Sequence, residues 1–91
     1  MPDGVSYGHM ELEFTQHALD VIAERRLDFE WIKRTMTTPQ LVEDAADGTR
    51  HFLARVPEQE GRVLRVVVNP QVDPPLVVTV FLDRRMRGRV G

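Results

Sequence analysis

Residues 62–82, RVLRVVVNPQVDPPLVVTVFL, hold two almost continuously apolar runs joined by a proline-rich loop. Runs of this length that are rich in valine read as strands, and apolar character on both faces suits the centre of a sheet. The two strands are placed at Arg62–Val68 and Leu76–Leu82, with Asn69–Pro75 between them. Upstream, a turn at Glu58–Gly61 separates them from a third strand, Arg50–Val56. Asp47-Gly48 favours a tight hairpin back to Leu41–Ala45, because glycine tolerates positive φ. Pro39 marks where the apolar period changes from helical to extended, since proline disfavours helical geometry at Thr38 before it.

Before that point the pattern predicts one strand and two helices. Met10, Leu12 and Phe14 alternate with Glu11 and Glu13, the signature of a half-buried strand. Thr15 is a suitable N-cap for a helix running to about Arg26, with Leu19, Ile22 and Ala23 on one side. Asp28 caps the next helix, and Leu27 at N′ is placed to pack on Ile32 at N4. Phe29, Ile32 and Met36 form its inward stripe, and Trp31 is expected at the core's margin. The fold class is α+β in the order β-α-α-β-β-β(β), two helices on one face of a twisted antiparallel sheet. Leu19, Ile22, Phe29, Ile32, Phe52, Val66 and Val80 are the expected core.

With 91 residues, 42% hydrophobic and 29% charged, the composition is that of one folding domain. A chain of this size buries only roughly 60–65% of its unfolded surface, so one sheet and one helical layer are its limit. Residues 10–83 are expected to form that domain, with 1–9 a flexible leader or tag remnant and 84–91 a basic C-terminal segment. The absence of cysteine excludes disulfides and thiolate metal sites. No apolar run approaches the ~20 residues that span a bilayer, so no membrane partner is expected and the location is read as cytoplasmic. Residues 1–61 carry 6 basic against 12 acidic side chains, and residues 62–91 carry 6 against 2. Arg84, Arg85, Arg87 and Arg89 concentrate the positive end, which meets nucleic acid, an acidic partner or solvent.

Alternation sorts the sheet faces. Phe52, Ala54 and Val56 point with Leu64, Val66 and Val68 toward the helices. His51, Leu53, Arg55, Val63, Arg65 and Val67 take the other face, joined by Thr79 between Val77 and Phe81. Arginines embedded in an apolar face need a carboxylate or phosphate, supplied either by a ligand or by an ion pair within the chain. His51 and Thr79 would add hydrogen bonds to anything held between Arg55 and Arg65. The two apolar strands also carry more apolar positions than one helical layer covers, which points to a homo-oligomer.

No glycine-rich phosphate loop, no Gly-x-Ser-x-Gly elbow and no histidine pair at metal spacing occurs, so neither cofactor nor metal is expected. Glu43 and Asp44 fall on an expected strand and so point to its opposite faces rather than forming a paired-carboxylate site. No aromatic platform accompanies the basic residues.

Phe14-Thr15-Gln16-His17-Ala18-Leu19, Glu24-Arg25, Thr38-Pro39, Leu64-Arg65-Val66-Val67-Val68 and Val78-Thr79-Val80 together carry a resemblance. In order and spacing they resemble the bacterial domain of unknown function 4258, which is distantly similar to BrnT-type and RelE/ParE-like toxins. The likeness spans roughly residues 10–83 and implies a strand, two helices and a twisted antiparallel sheet. Ribonuclease activity belongs to some of the relatives. His17 and Arg25 match the polar positions of the first helix, whereas Val21 stands where the family pattern often has an arginine. His17 in a first helical turn sits where the dipole favours neutral imidazole, the form of a general base; a packing or hydrogen-bonding role is the alternative.

Two functions follow. The first is a metal-independent RelE-like endoribonuclease, or a degenerate descendant, with His17, Arg25, Arg55 and Arg65 as catalytic candidates and Arg84, Arg85 and Arg87 binding RNA phosphates. The second is a non-catalytic interaction module that binds an antitoxin-like protein or a second copy of itself. The acidic first two-thirds and a pI near 5.9 favour the second over RNA binding.

Overall fold

The computed structural model describes residues 5–7 and 10–84. Strands β1 (Val5–Tyr7) and β2 (Met10–Phe14) lead into helices α1 (Gln16–Glu24) and α2 (Phe29–Thr37). Strands β3 (Leu41–Asp44), β4 (Arg50–Val56), β5 (Arg62–Asn69) and β6 (Leu76–Asp83) follow, with a 3-10 turn at Pro57–Gln59. The α+β architecture is as expected: the two helices pack against the sheet, α1 on β2 and β6, α2 on β4 and β5.

The strands lie in the order β1-β2-β6-β5-β4-β3. Strands β3 to β6 form an antiparallel meander, but β2 runs parallel to β6, pairing Glu13 with Leu76 and Phe14 with Val77. The sheet is therefore mixed. No loop separates β2 from α1, so the parallel strand delivers Thr15 straight to the outer side of β6. There the Thr15 N–H donates to Val77 O (3.0 Å), and its hydroxyl donates to Val78 O (3.0 Å) while accepting from Ala18 N (3.0 Å). One N-cap thus starts the helix and docks it on the sheet.

The α1 core line differs from the expected one. Ala18 and Ile22, at i and i+4, are buried, whereas Leu19 is 39% exposed and Ala23 is exposed. The buried line of α1 thus runs through Ala18, one position before Leu19. In α2, Trp31, Ile32, Thr35 and Met36 are buried, and Trp31 belongs to the core rather than its margin. Thr35 satisfies its hydroxyl on Trp31 O at 2.8 Å. Phe29 is 39% exposed and meets Phe14 edge-on, ring centroids 5.6 Å apart. Asp28 caps α2 through Glu30 N, with Leu27 and Ile32 both in the core.

Between the helices the chain reverses through a Schellman motif. Leu27 N donates to Ile22 O (2.9 Å) and Arg26 N to Ala23 O (3.3 Å), with Arg26 in the left-handed region at φ 54°. The motif is tight enough to put buried Leu27 directly after the exposed pair Arg25–Arg26.

Strand alternation holds through β4 and β5 but breaks in β6. Val67 opposes Thr79 and Val68 opposes Val77, so Val78 has no partner on β5 and forms a bulge. Val77 and Val80 both enter the helix-side core, whereas strict alternation had placed Val77 on the far face with Thr79 and Phe81. On the far face, Leu53 and Val63 are fully buried with Leu41 packed against them. The stems of long polar side chains can shield such residues while keeping their heads hydrated. No described helix is long and apolar enough to cross a membrane.

Candidate functional site

On the far face, Arg65 is held by groups of the chain itself. Its Nε donates to Asp83 Oδ2 (2.8 Å) and its Nη1 lies 3.4 Å from Glu43 Oε1. Arg65 is 12% exposed and Asp83 only 4%. His51 Nδ1 is 2.6 Å from the same Nη1. A guanidinium only donates, so Nδ1 accepts and the ring hydrogen belongs on Nε2. That nitrogen faces Thr49 Oγ1 at 3.1 Å, whose hydroxyl donates to Asp47 Oδ1 at 2.6 Å. The Thr49 hydroxyl, then the Thr49 N–H, hold the Asp47 carboxyl below the usual carboxylate range. The ion-pair reading of Arg65 is the one the geometry adopts.

The remaining candidates are dispersed. Arg55 lies diagonally from Arg65, opposite Val63, and its Nη1 donates to Gly61 O at 3.3 Å. Its backbone N–H donates to Gln40 Oε1 at 2.7 Å. Arg55 Nη1 thus meets a backbone carbonyl where Arg65 meets carboxylates. Thr79 opposes Val67 in the row that also contains His51. His17 is exposed in the first turn of α1, and Arg25 caps the other end, about 12 Å away along the axis. His17 and Arg25 belong to the helical layer, Arg55 and Arg65 to the opposite sheet face. Arg85 and Arg87 lie outside the described residues.

A different set does converge. A groove of 610 Å3 runs between the end of α1 and the outer edge of β6, lined by Val21, Leu27, Val80 and Leu82 among others. Arg25 from the C-cap of α1, Arg62 from the start of β5 and Arg84 after β6 all line it, with Glu24 the one acidic residue in the lining. Among the described residues, no side-chain hydrogen bond or ion pair engages any of these three arginines. By contrast Arg34 and Arg50 bind Glu58 (2.8 Å) and Asp44 (2.6 Å). The Arg34 guanidinium is the main reason that the Glu58 carboxyl sits below its ordinary range. Val21, one turn before Arg25 on α1, lies in the floor of this groove.

Sequence reasoning singled out Arg25 and Arg84 but not Arg62, and it missed Asp83 and Glu43 as the carboxylates that Arg65 needs. Asp83 had a signal: it is the charged residue that ends an apolar strand, adjacent in register to Arg65. Arg62 had none, because its role depends on where β2 stops. Among the described residues, no group of three or more His, Asp or Glu side chains is placed to hold a metal ion.

The geometry defines a small α+β domain with a mixed sheet, an enclosed Arg65–Asp83 pair on the far face and an arginine-rimmed groove beside a strand edge. Within that class, the model of the family called domain of unknown function (DUF4258) matches residues 14–82, and the chain belongs to that family. No curated protein and no solved structure matches it.

Proposed function

We propose that the chain is a non-catalytic protein-interaction module of the toxin-like small-domain class, expected in the cytoplasm, and that its binding surface is the groove between α1 and β6. The observation that carries this reading is the clustering of Arg25, Arg62 and Arg84 around one groove with no carboxylate on any of them among the described residues. Cations left unpaired beside an apolar floor favour an anionic partner. The reading as a metal-independent RelE-like endoribonuclease needs a base and phosphate-binding donors on one surface. His17 and Arg25 against Arg55 and Arg65, on opposite sides of the sheet, support binding over catalysis. A second copy is a further candidate partner: Val42 on the acidic edge strand β3 is 45% exposed. Incubation of the full chain with a generic single-stranded RNA, without added metal, tests the proposal. Intact RNA is expected; cleavage abolished by His17→Ala would overturn it. Sedimentation equilibrium reads self-association against a monomer of 10.5 kDa.

A further inference from the structure

The groove has a second property beyond its charge: one of its walls is an unpaired strand edge. Strand β2 pairs with β6 only at Leu76 and Val77, and the chain then leaves the sheet at Thr15 to become α1. On the side away from β5, Thr79 to Asp83 have no strand beside them among the described residues. No described backbone group outside the β5 ladder bonds to this stretch. Thr79, Val80, Phe81 and Leu82 line the groove consecutively, as an edge does and a single face does not.

We infer that this edge accepts an extended acidic segment of a partner protein as an added strand, with Arg25, Arg62 and Arg84 binding its carboxylates. The inference rests on the interaction-module reading and names the partner's chemistry. Peptide N–H and C=O groups match an open ladder, and alternate side chains of the incoming strand fall toward the arginines or the apolar floor of Val21, Leu27 and Leu82. An RNA backbone carries no N–H donors for that edge, although its phosphates would suit the arginines. The chain's own basic stretch, with Arg85, Arg87 and Arg89, has the wrong charge to fill the groove. Five residues, Thr79 to Asp83, offer about 17 Å of ladder, enough for a short linear segment.

The test is fluorescence anisotropy of the full chain with a labelled octapeptide of alternating glutamate and valine. Saturable binding is expected, weakened at least tenfold by Arg25→Gln with Arg62→Gln and unchanged within twofold by Arg50→Gln on distant β4. Circular dichroism melts confirm that each variant is folded. Alternate residues of a strand aim their N–H groups at the same ladder, so of two peptides N-methylated at the glutamates or at the valines, both keep the charge and one loses all its ladder donors; that one should bind at least tenfold more weakly. Binding of both N-methylated peptides equal to that of the parent overturns strand addition while leaving the groove as an interaction surface. No saturable binding, or binding indifferent to the arginine pair, overturns the inference. An octauridylate bound more tightly than the peptide overturns both the inference and the module reading, in favour of RNA phosphates.

Discussion

Replacing Arg65 by methionine removes the guanidinium from a carboxylate that is 4% exposed while leaving most of the side chain's apolar stem in place. A carboxylate so enclosed has lost nearly all of its hydration, and removing one partner of a buried pair costs about 3–5 kcal/mol. The lower end applies, because Arg65 also reaches Glu43, which is 48% exposed and keeps its own water. A loss of about 3 kcal/mol is a large share of the roughly 5–15 kcal/mol that holds a domain together. For a domain of this size it corresponds to a fall of roughly 12–24 °C in Tm. Urea denaturation followed by far-ultraviolet circular dichroism reads it as a lower midpoint at unchanged slope. The double variant Arg65→Met, Asp83→Leu separates a buried ion pair from plain packing. With no carboxylate left to enclose, it should recover at least about 1 kcal/mol relative to the single variant. A single variant within about 0.5 kcal/mol of wild type, or a double variant no better than the single, would refute the reasoning.

Val66 is fully buried against the helices, so Val66→Asp should leave no cooperative melt by circular dichroism; a wild-type-like melt would place Val66 on the wrong face. Thr15→Ala loses both the cap on Ala18 N and the bond to Val78 O and should cost about 1–2 kcal/mol in urea. Arg26→Gly relieves the left-handed backbone of the Schellman turn and should gain about 0.5–1 kcal/mol, whereas a loss would show the Arg26 side chain to be holding the turn. The Asp47 carboxyl is lowered by Thr49, so its contribution is complete above its unfolded value near pH 4 and is lost as the pH falls through the lower folded value. Thr49→Val should flatten that acid limb in a stability-versus-pH series, and an unaltered limb would remove Thr49 as the cause.

The elements were readable from the sequence because their signals are local. Thr15 and Asp28 each cap by a bond within three residues, and the Asp47-Gly48 hairpin depends on its own turn, where Gly48 has φ 90°. What the sequence could not supply is set by distant partners. Leu19 and Phe29 have the right hydrophobicity and period for the core, but Ala18 and Trp31 take the buried positions beside them. The parallel pairing of β2 depends on where Thr15 finds its acceptors on β6, sixty-three residues away along the chain for Val78. Arg65 was correctly placed on the far face. Its carboxylates lie on β3 and β6, each on a different neighbour of the pair β4–β5, and no spacing in the chain announces that meeting. The groove is the extreme case, since its third arginine becomes informative only once β2 is seen to stop short.

The bulge at Val78 means that inside and outside are not assigned independently along β6 but depend on a count of residues. On its two sides the strand obeys opposite parities: Val77 belongs with the helices before it, as Val80 does after it. A one-residue deletion at the bulge would restore simple alternation with both faces unchanged, whereas one between Thr79 and Asp83 would reverse the residues that follow it, exposing Leu82 and turning Asp83 inward. That second deletion would take the carboxylate of Arg65 off its face. Beyond the bulge, changes of residue type are therefore tolerable in ways that changes of length are not, and relatives that share the Arg65–Asp83 pair should vary in the letters of β6 while keeping the number of residues from Thr79 to Asp83.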